Sequence, residues 1–239
     1  MARLAARRGE SVLALDSDLL PGLSLSLGSG PDPVLPPLLD AAEQDETGQW
    51  RWCAGVDAAI AAQRFATAAP DGVRLLQRGK VARAGFGPIV GSSKAFWEVA
   101  QGLVDAPAFL EWTLIGDTPA GPRQVAENWA PYAETYLVVV QPGAQSAMTA
   151  RRVARLARLQ TPGAAVRFVA NRVAGERDVR HVEALIGEPV WAAVPADEGV
   201  ASAERIGAAP IDHAPDSPAV AAIGKLIAML DKTRRMATT

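Results

Sequence analysis

Three apolar runs in this 239-residue chain end in polar groups whose types could do chemistry. Trp112-Thr113-Leu114-Ile115-Gly116 delivers Asp117 to the small-residue turn Thr118-Pro119-Ala120-Gly121. Val12-Leu13-Ala14-Leu15 ends in Asp16-Ser17-Asp18, and Val166-Arg167-Phe168-Val169-Ala170 ends in Asn171-Arg172. A carboxylate held at a strand end beside a tight turn can orient Mg²⁺ next to a terminal phosphate. Pro119-Ala120-Gly121 lets backbone approach such a group closely. Each feature also has a plain structural use: Asp-Thr-Pro starts turns, Asp16 and Asp18 suit a solvated loop, and Asn171 suits a cap. Their order and spacing together point to one crevice.

The elements needed to position these groups alternate along the chain. Helical spacing is expected over 2–8, 56–68, 92–104, 122–129, 146–159, 179–186, 200–206 and 218–235. Strands are expected over 12–16, within 73–81, and over 113–117, 136–141, 166–170 and 190–194. Residues 19–37 read as a loop with room for a short helix, and 38 onward as an acidic turn. The strands are continuously apolar rather than alternating, which predicts an α/β fold with a mostly parallel sheet and helices on both faces. In such a sheet ligands bind beyond the carboxyl ends of the strands. No linker divides the sequence, so one nucleotide-binding domain over 1–239 is expected.

Composition narrows the function. A net charge of −2 gives no whole-chain attraction to nucleic acid or anionic lipid, and neither is expected as a partner. The single cysteine, Cys53, excludes an internal disulfide and reads as a small core residue. His181 and His213 are too isolated to form a metal site. Residues 1–8 lack the apolar core of a secretion signal and no apolar run reaches eighteen residues, so a soluble cytoplasmic protein is expected. Arg151, Arg155 and Arg158 share one face of the 146–159 helix, and a solvated face is the expected use. Ile223, Leu226, Ile227 and Leu230 form an apolar side expected to pack on the sheet rather than on a membrane.

Taken in order, these segments resemble the MinD/ParA-type ATPases, the deviant P-loop group of nucleotide switches. The matching residues are Leu4–Gly9, Val12–Asp18, Asp117–Gly121, Val138–Pro142, Val169–Val173 and Val194–Asp197. Within that group the chain is most similar to the CooC-type branch, ATPases that serve nickel insertion into carbon monoxide dehydrogenase. Pro70-Asp71-Gly72-Val73-Arg74-Leu75-Leu76, Arg78-Gly79-Lys80 and the tail Glu204–Gly207 with Asp216-Ser217-Pro218 carry that likeness. The resemblance implies an ATP- and Mg²⁺-dependent homodimer that acts on a protein partner. It implies that Asp117 holds Mg²⁺ through water and that Asp16 and Asp18 lie near the γ-phosphate and the attacking water. It also implies that the Gly121 turn takes part in nucleotide binding and that Asn171 and the Pro195 region contact adenine.

The sequence departs from the family twice. The Gly-rich Lys-Thr/Ser loop that neutralises the phosphates occurs nowhere in the 239 residues; Lys80 and Lys94 lack its spacing. The strand that precedes it lies inside the sheet in this family, so neighbouring strands are expected to be left with unpaired backbone groups. A start placed too late, a gene fragment, or a decayed pseudo-ATPase kept as a non-catalytic interaction module would each produce this pattern, and the chain as given is not expected to hydrolyse ATP. Second, the stretch Gly85–Gly91 stands where the CooC-type branch carries a Cys-x-Cys pair, so soft-metal binding is not expected there.

Overall fold

The computed structural model describes residues 1–18, 22–30, 38–48, 50–78 and 86–237. The chain forms two compact units. One comprises residues 2–120 and 128–132, and the other comprises Met1, 121–127 and 133–239.

The first unit is built on β1 (Val12–Asp16), with α1 (Ala2–Ala6) before it and α2 (Leu23–Leu27) after it. A hairpin of β2 (Ala42–Gln44) and β3 (Trp50–Trp52) follows, then α3 (Ala58–Phe65), β4 (Thr67–Ala68), β5 (Arg74–Gln77), α4 (Phe86–Gly102) and β6 (Thr113–Asp117). The main sheet has the order β4-β5-β1-β6, with β1 parallel to both β5 and β6 and β4 antiparallel at the margin.

Every residue of β1 is buried because both faces are covered. Val12 and Ala14 meet Val73, Leu75, Ala5 and Leu27 on one side. Leu13 and Leu15 meet Leu76, Phe65, Phe96 and Val99 on the other. This is why the strand reads as an unbroken apolar run, and each buried Val or Leu side chain contributes about 1.5–3 kcal/mol by leaving water.

Local chemistry fixes the surrounding helices. Asp57 caps α3 by accepting the Ile60 N–H at 2.8 Å. Asp71, at φ 60° ahead of Gly72 at φ 80°, accepts from Arg3 at 2.6 Å and Arg7 at 2.9 Å, so the turn before β5 anchors α1. Those two hydrogen bonds outweigh the opposing effect of burial and hold the Asp71 carboxyl below its ordinary range.

The second unit contains α5 (Arg123–Ala126), β7 (Thr135–Val140), α6 (Ala144–Gln160), β8 (Ala165–Val173), α7 (Glu176–Ile186), β9 (Val190–Pro195), α8 (Glu198–Ile206), α9 (Pro210–His213) and α10 (Pro218–Ala237). Its three parallel strands run in the order β7-β8-β9. On α6, Ala147, Ala150, Ala154 and Ala157 are buried while Arg151, Arg152, Arg155 and Arg158 are exposed. Arg158 forms a two-pronged pair with Glu188 at 2.9 and 2.7 Å. Leu226 of α10 is buried with Val169 and Val194 of the sheet, and Ile223 packs beside them. Among the described residues no helix is long and apolar enough to cross a membrane.

Several elements differ from the sequence reading. The helix expected over 122–129 stops at Ala126, because the chain reverses at Asn128 with φ 52°. The strand expected to end at Ala170 runs on to Val173, which places Asn171 inside it. The helix α4 starts at Phe86 rather than Ser92, and the β2–β3 hairpin replaces a simple acidic turn. Gly79, Lys80 and Gly85 lie outside the described residues.

Two of the strands that end a sheet, β6 and β7, bear on the site. Among the described residues the last strand of the first sheet, β6, pairs only with β1, and β7 pairs only with β8. Leu114 and Ile115 of β6 are half-buried and Val139 of β7 is 57% exposed, so these two edge strands carry apolar side chains that the described residues cover only in part. Such edges run against the usual burial of parallel strands.

Candidate functional site

Parallel pairing sets the geometry of the acids. Asp16 is in register with Gln77 on one side and with Asp117 on the other, so three polar residues occupy one rung at the carboxyl ends of β5, β1 and β6. Strand alternation aims all three at the face where Ala14, Leu75 and Ile115 pack. Asp16 is 1% exposed. Its Oδ1 accepts the Asp18 N–H and its Oδ2 accepts the Leu23 N–H, both at 3.1 Å, so this carboxylate also folds the turn that carries Asp18. Gln77 is buried, and among the described residues its Nε2 has no hydrogen-bond partner.

Electrostatics separate the two paired acids. Burial pushes the Asp16 carboxyl up, opposed by the Leu23 and Asp18 N–H groups and by the nearby Gln77 amide, with the Asp18 charge adding to the rise. Asp117 stands exposed at the end of its strand. The protein crowded around its carboxyl raises it first, and the charges of Asp16 and Asp18 raise it further. Solvent at Asp117 screens part of this repulsion. Two carboxylates in register on adjacent strands, each raised by burial and by a neighbouring charge, form an arrangement that a divalent cation would relieve.

The turn between the acids is held from several sides. Ser17 donates its N–H to the Asp117 carbonyl at 3.1 Å and its hydroxyl to the same oxygen at 2.8 Å. The Arg78 N–H bonds the Asp16 carbonyl at 2.8 Å, and Arg78 Nη1 reaches the Ser17 carbonyl at 3.4 Å. Sequence reasoning placed Arg78 in a strand region and gave neither it nor Gln77 a role. The available signal was a polar pair closing an apolar strand, but only the register with β1 shows what the pair faces.

The remaining expected site residues belong to the second unit. The Asn171 Oδ1 accepts the N–H of Arg172 at 3.0 Å, and Arg172 takes φ 58° where the β8–β9 register shifts. The amide therefore supports a strand irregularity. Pro195 ends β9 opposite Val173. Asp197 then caps α8 through the Val200 N–H at 3.1 Å, and its other oxygen accepts the Ser217 hydroxyl at 2.8 Å and the Ala219 N–H at 3.4 Å. Gly121 has φ +104° with open space where a Cβ would stand, so backbone conformation alone accounts for glycine there.

No family model and no curated relative matches the sequence. Solved structures do match. The septum site-determining protein MinD of Pyrococcus horikoshii, solved with Mg-ADP, superposes with a TM-score of 0.70 at 22% identity, covering 98% of this chain and 89% of that one. The fold is that of the MinD/ParA structures. The cell division ATPase MinD of Pyrococcus furiosus gives 0.67 at 23% identity over 97% of this chain and 91% of its own. A ParA family ATPase from Chlorobium tepidum gives 0.63 at 21% identity over 94% and 88%. At these identities the likeness to the MinD/ParA structures establishes an α/β, parallel-dominated architecture with helices.

The carboxylates of Asp117 and Asp16 are hard oxygen donors on neighbouring strands, which suits Mg²⁺ with water completing its shell. Among the described residues no cluster of three or more His, Cys, Asp or Glu is arranged to hold a metal. The phosphates fit less well, because the sequence contains no Gly-rich Lys-Thr/Ser loop to meet their charge.

Proposed function

We propose that this chain is the acid-bearing part of a MinD/ParA/CooC-like ATP switch that works as a cytoplasmic homodimer on a protein partner. Asp117 holds Mg²⁺ through water, while Asp16 and Asp18 lie near the γ-phosphate and the attacking water. Gly121, Asn171 and Pro195 belong to the nucleotide-contacting turns. The observation that carries this reading is the rung itself: Asp16 and Asp117 are in register on adjacent parallel strands, both raised above the ordinary aspartate range. When bound, Mg²⁺ would supply charge neutralisation at the transferred phosphate. The chain's own residues hold and orient, with Asp16 folding the turn that presents Asp18.

The phosphate-neutralising loop is not among the 239 residues, so the chain alone lacks the amides and lysine that stabilise the transition state. The open edge of β6, the strand that carries Asp117, supports a reading in which a further strand, and the loop it carries, completes the site. The second reading is a non-catalytic interaction module that keeps the fold. It is favoured by that same missing loop.

Titration calorimetry with Mg-ATP separates them, comparing the 239-residue chain with a chain joined to a strand and Gly-rich Lys-Thr loop. Binding by the joined chain only, weakened in its Asp117→Ala variant, is the expected outcome. Absence of binding in both chains would leave the interaction module as the correct reading.

A further inference from the structure

The Arg78 side chain is a charged group that the proposed chemistry does not use, yet it is 8% exposed. It follows the last residue of β5, and strand alternation sends it to the face opposite Gln77, toward the core that holds Leu76, Phe96 and Trp129. There it does three things at once. Its Nη1 donates to the Ser17 carbonyl at 3.4 Å, its Nη2 donates to the Ser93 hydroxyl of α4, and its guanidinium carbon lies 5.2 Å from the centre of the Trp129 ring. Trp129 in turn stacks on Phe96 of α4 with centroids 6.1 Å apart. The Ser17 that receives Arg78 is the residue between Asp16 and Asp18, and it is also bonded twice to the Asp117 carbonyl.

A guanidinium suits this place for a physical reason. Its planar fork presents parallel donors to two acceptors while its face remains free to lie over an aromatic ring. A lysine ammonium is a point charge and cannot hold a carbonyl, a hydroxyl and a ring in one rigid arrangement. The fork therefore connects the acid-bearing turn to α4 and to the Asn128–Tyr132 segment, all within the first unit.

We propose that Arg78 is a positioning residue of the acid site: its fork ties the Asp16–Asp18 turn to Ser93 and Trp129, so that a change at the acids is transmitted to the Trp129 segment. Its place in a nucleotide cycle rests on the switch reading above, but the tie itself does not. The clamp makes Trp129 report on the turn, and removing the fork disconnects them.

The test uses the full chain labelled with 5-fluorotryptophan, without nucleotide, with the Trp129 ¹⁹F signal assigned through Trp129→Phe. Asp16→Asn loosens the turn and is expected to shift the Trp129 signal in the parent. In Arg78→Met the same Asp16→Asn change is expected to leave Trp129 unmoved. Arg78→Lys keeps charge and length without the fork and is expected to show the same loss, which keeps the test available if Arg78→Met does not fold. A Trp129 shift equal to the parent's in a folded Arg78 variant would overturn the proposal, as would no shift in the parent. Because no nucleotide is present, this result stands apart from the calorimetric outcome for ATP.

Discussion

Asp16 does two tasks with one carboxylate, and this limits how it can be varied. Its oxygens hold the Asp18 and Leu23 N–H groups while its charge crowds Asp117. Asp117 is the better probe of the repulsion, since among the described residues no hydrogen bond of its side chain offsets the rise. A carboxyl raised by folding favours the protonated form in the native state, so its contribution to stability is present at low pH and is lost as pH rises through the folded value, above the ordinary 3.8. Asp117→Asn is therefore expected to raise the melting temperature near neutral pH and to match the parent near pH 3. The difference is expected to be modest because Asp117 is exposed. Melting curves across pH check it, and a destabilised variant at neutral pH would contradict the electrostatic account. The acids themselves were legible in the sequence because a carboxylate closing an apolar run is a local pattern. Gln77 and Arg78 were not, because their meaning depends on strands far apart in sequence that meet in register.

At the scale of elements, the helices covering the sheet are fitted closely enough for one methyl group to matter. A Cβ at Gly102, the last residue of α4, would stand 2.3 Å from the Ala58 Cβ at the start of α3. Gly102→Ala is expected to cost about 1–3 kcal/mol by forcing the two helices apart, despite the better helix propensity of alanine. Urea denaturation measures it; unchanged stability would show that the crossing adjusts without strain. The apolar runs of β1, β6, β7 and β8 announced themselves through composition alone. What periodicity missed has a physical cause in each case. The β2–β3 hairpin is short and flanked by polar residues, so it carries little pattern. The early end of α5 follows from Asn128 taking a left-handed conformation, which asparagine tolerates without a glycine to mark it.

At the scale of the molecule, the open edges of β6 and β7 are the main departure from an ordinary parallel α/β arrangement. Exposed apolar edges template pairing with other chains. Val139, 57% exposed on β7, is the residue through which this is best adjusted. Val139→Lys is expected to lower self-association in sedimentation velocity runs while changing stability by less than about 0.5 kcal/mol, the usual scale for surface changes. Equal association in the variant would acquit the β7 edge. The route of the chain between the two units has a different consequence, one of dissection. Residues 121–127 belong to one unit while 128–132 return to the other, and Trp129, 8% exposed, is part of the first unit's core. A single cut after Ala120 would strip the first unit of the ring beneath Arg78, and a single cut after Tyr132 would leave α5 on the wrong fragment. Neither unit can be excised intact at one boundary, so the chain is divisible in space but not along its length.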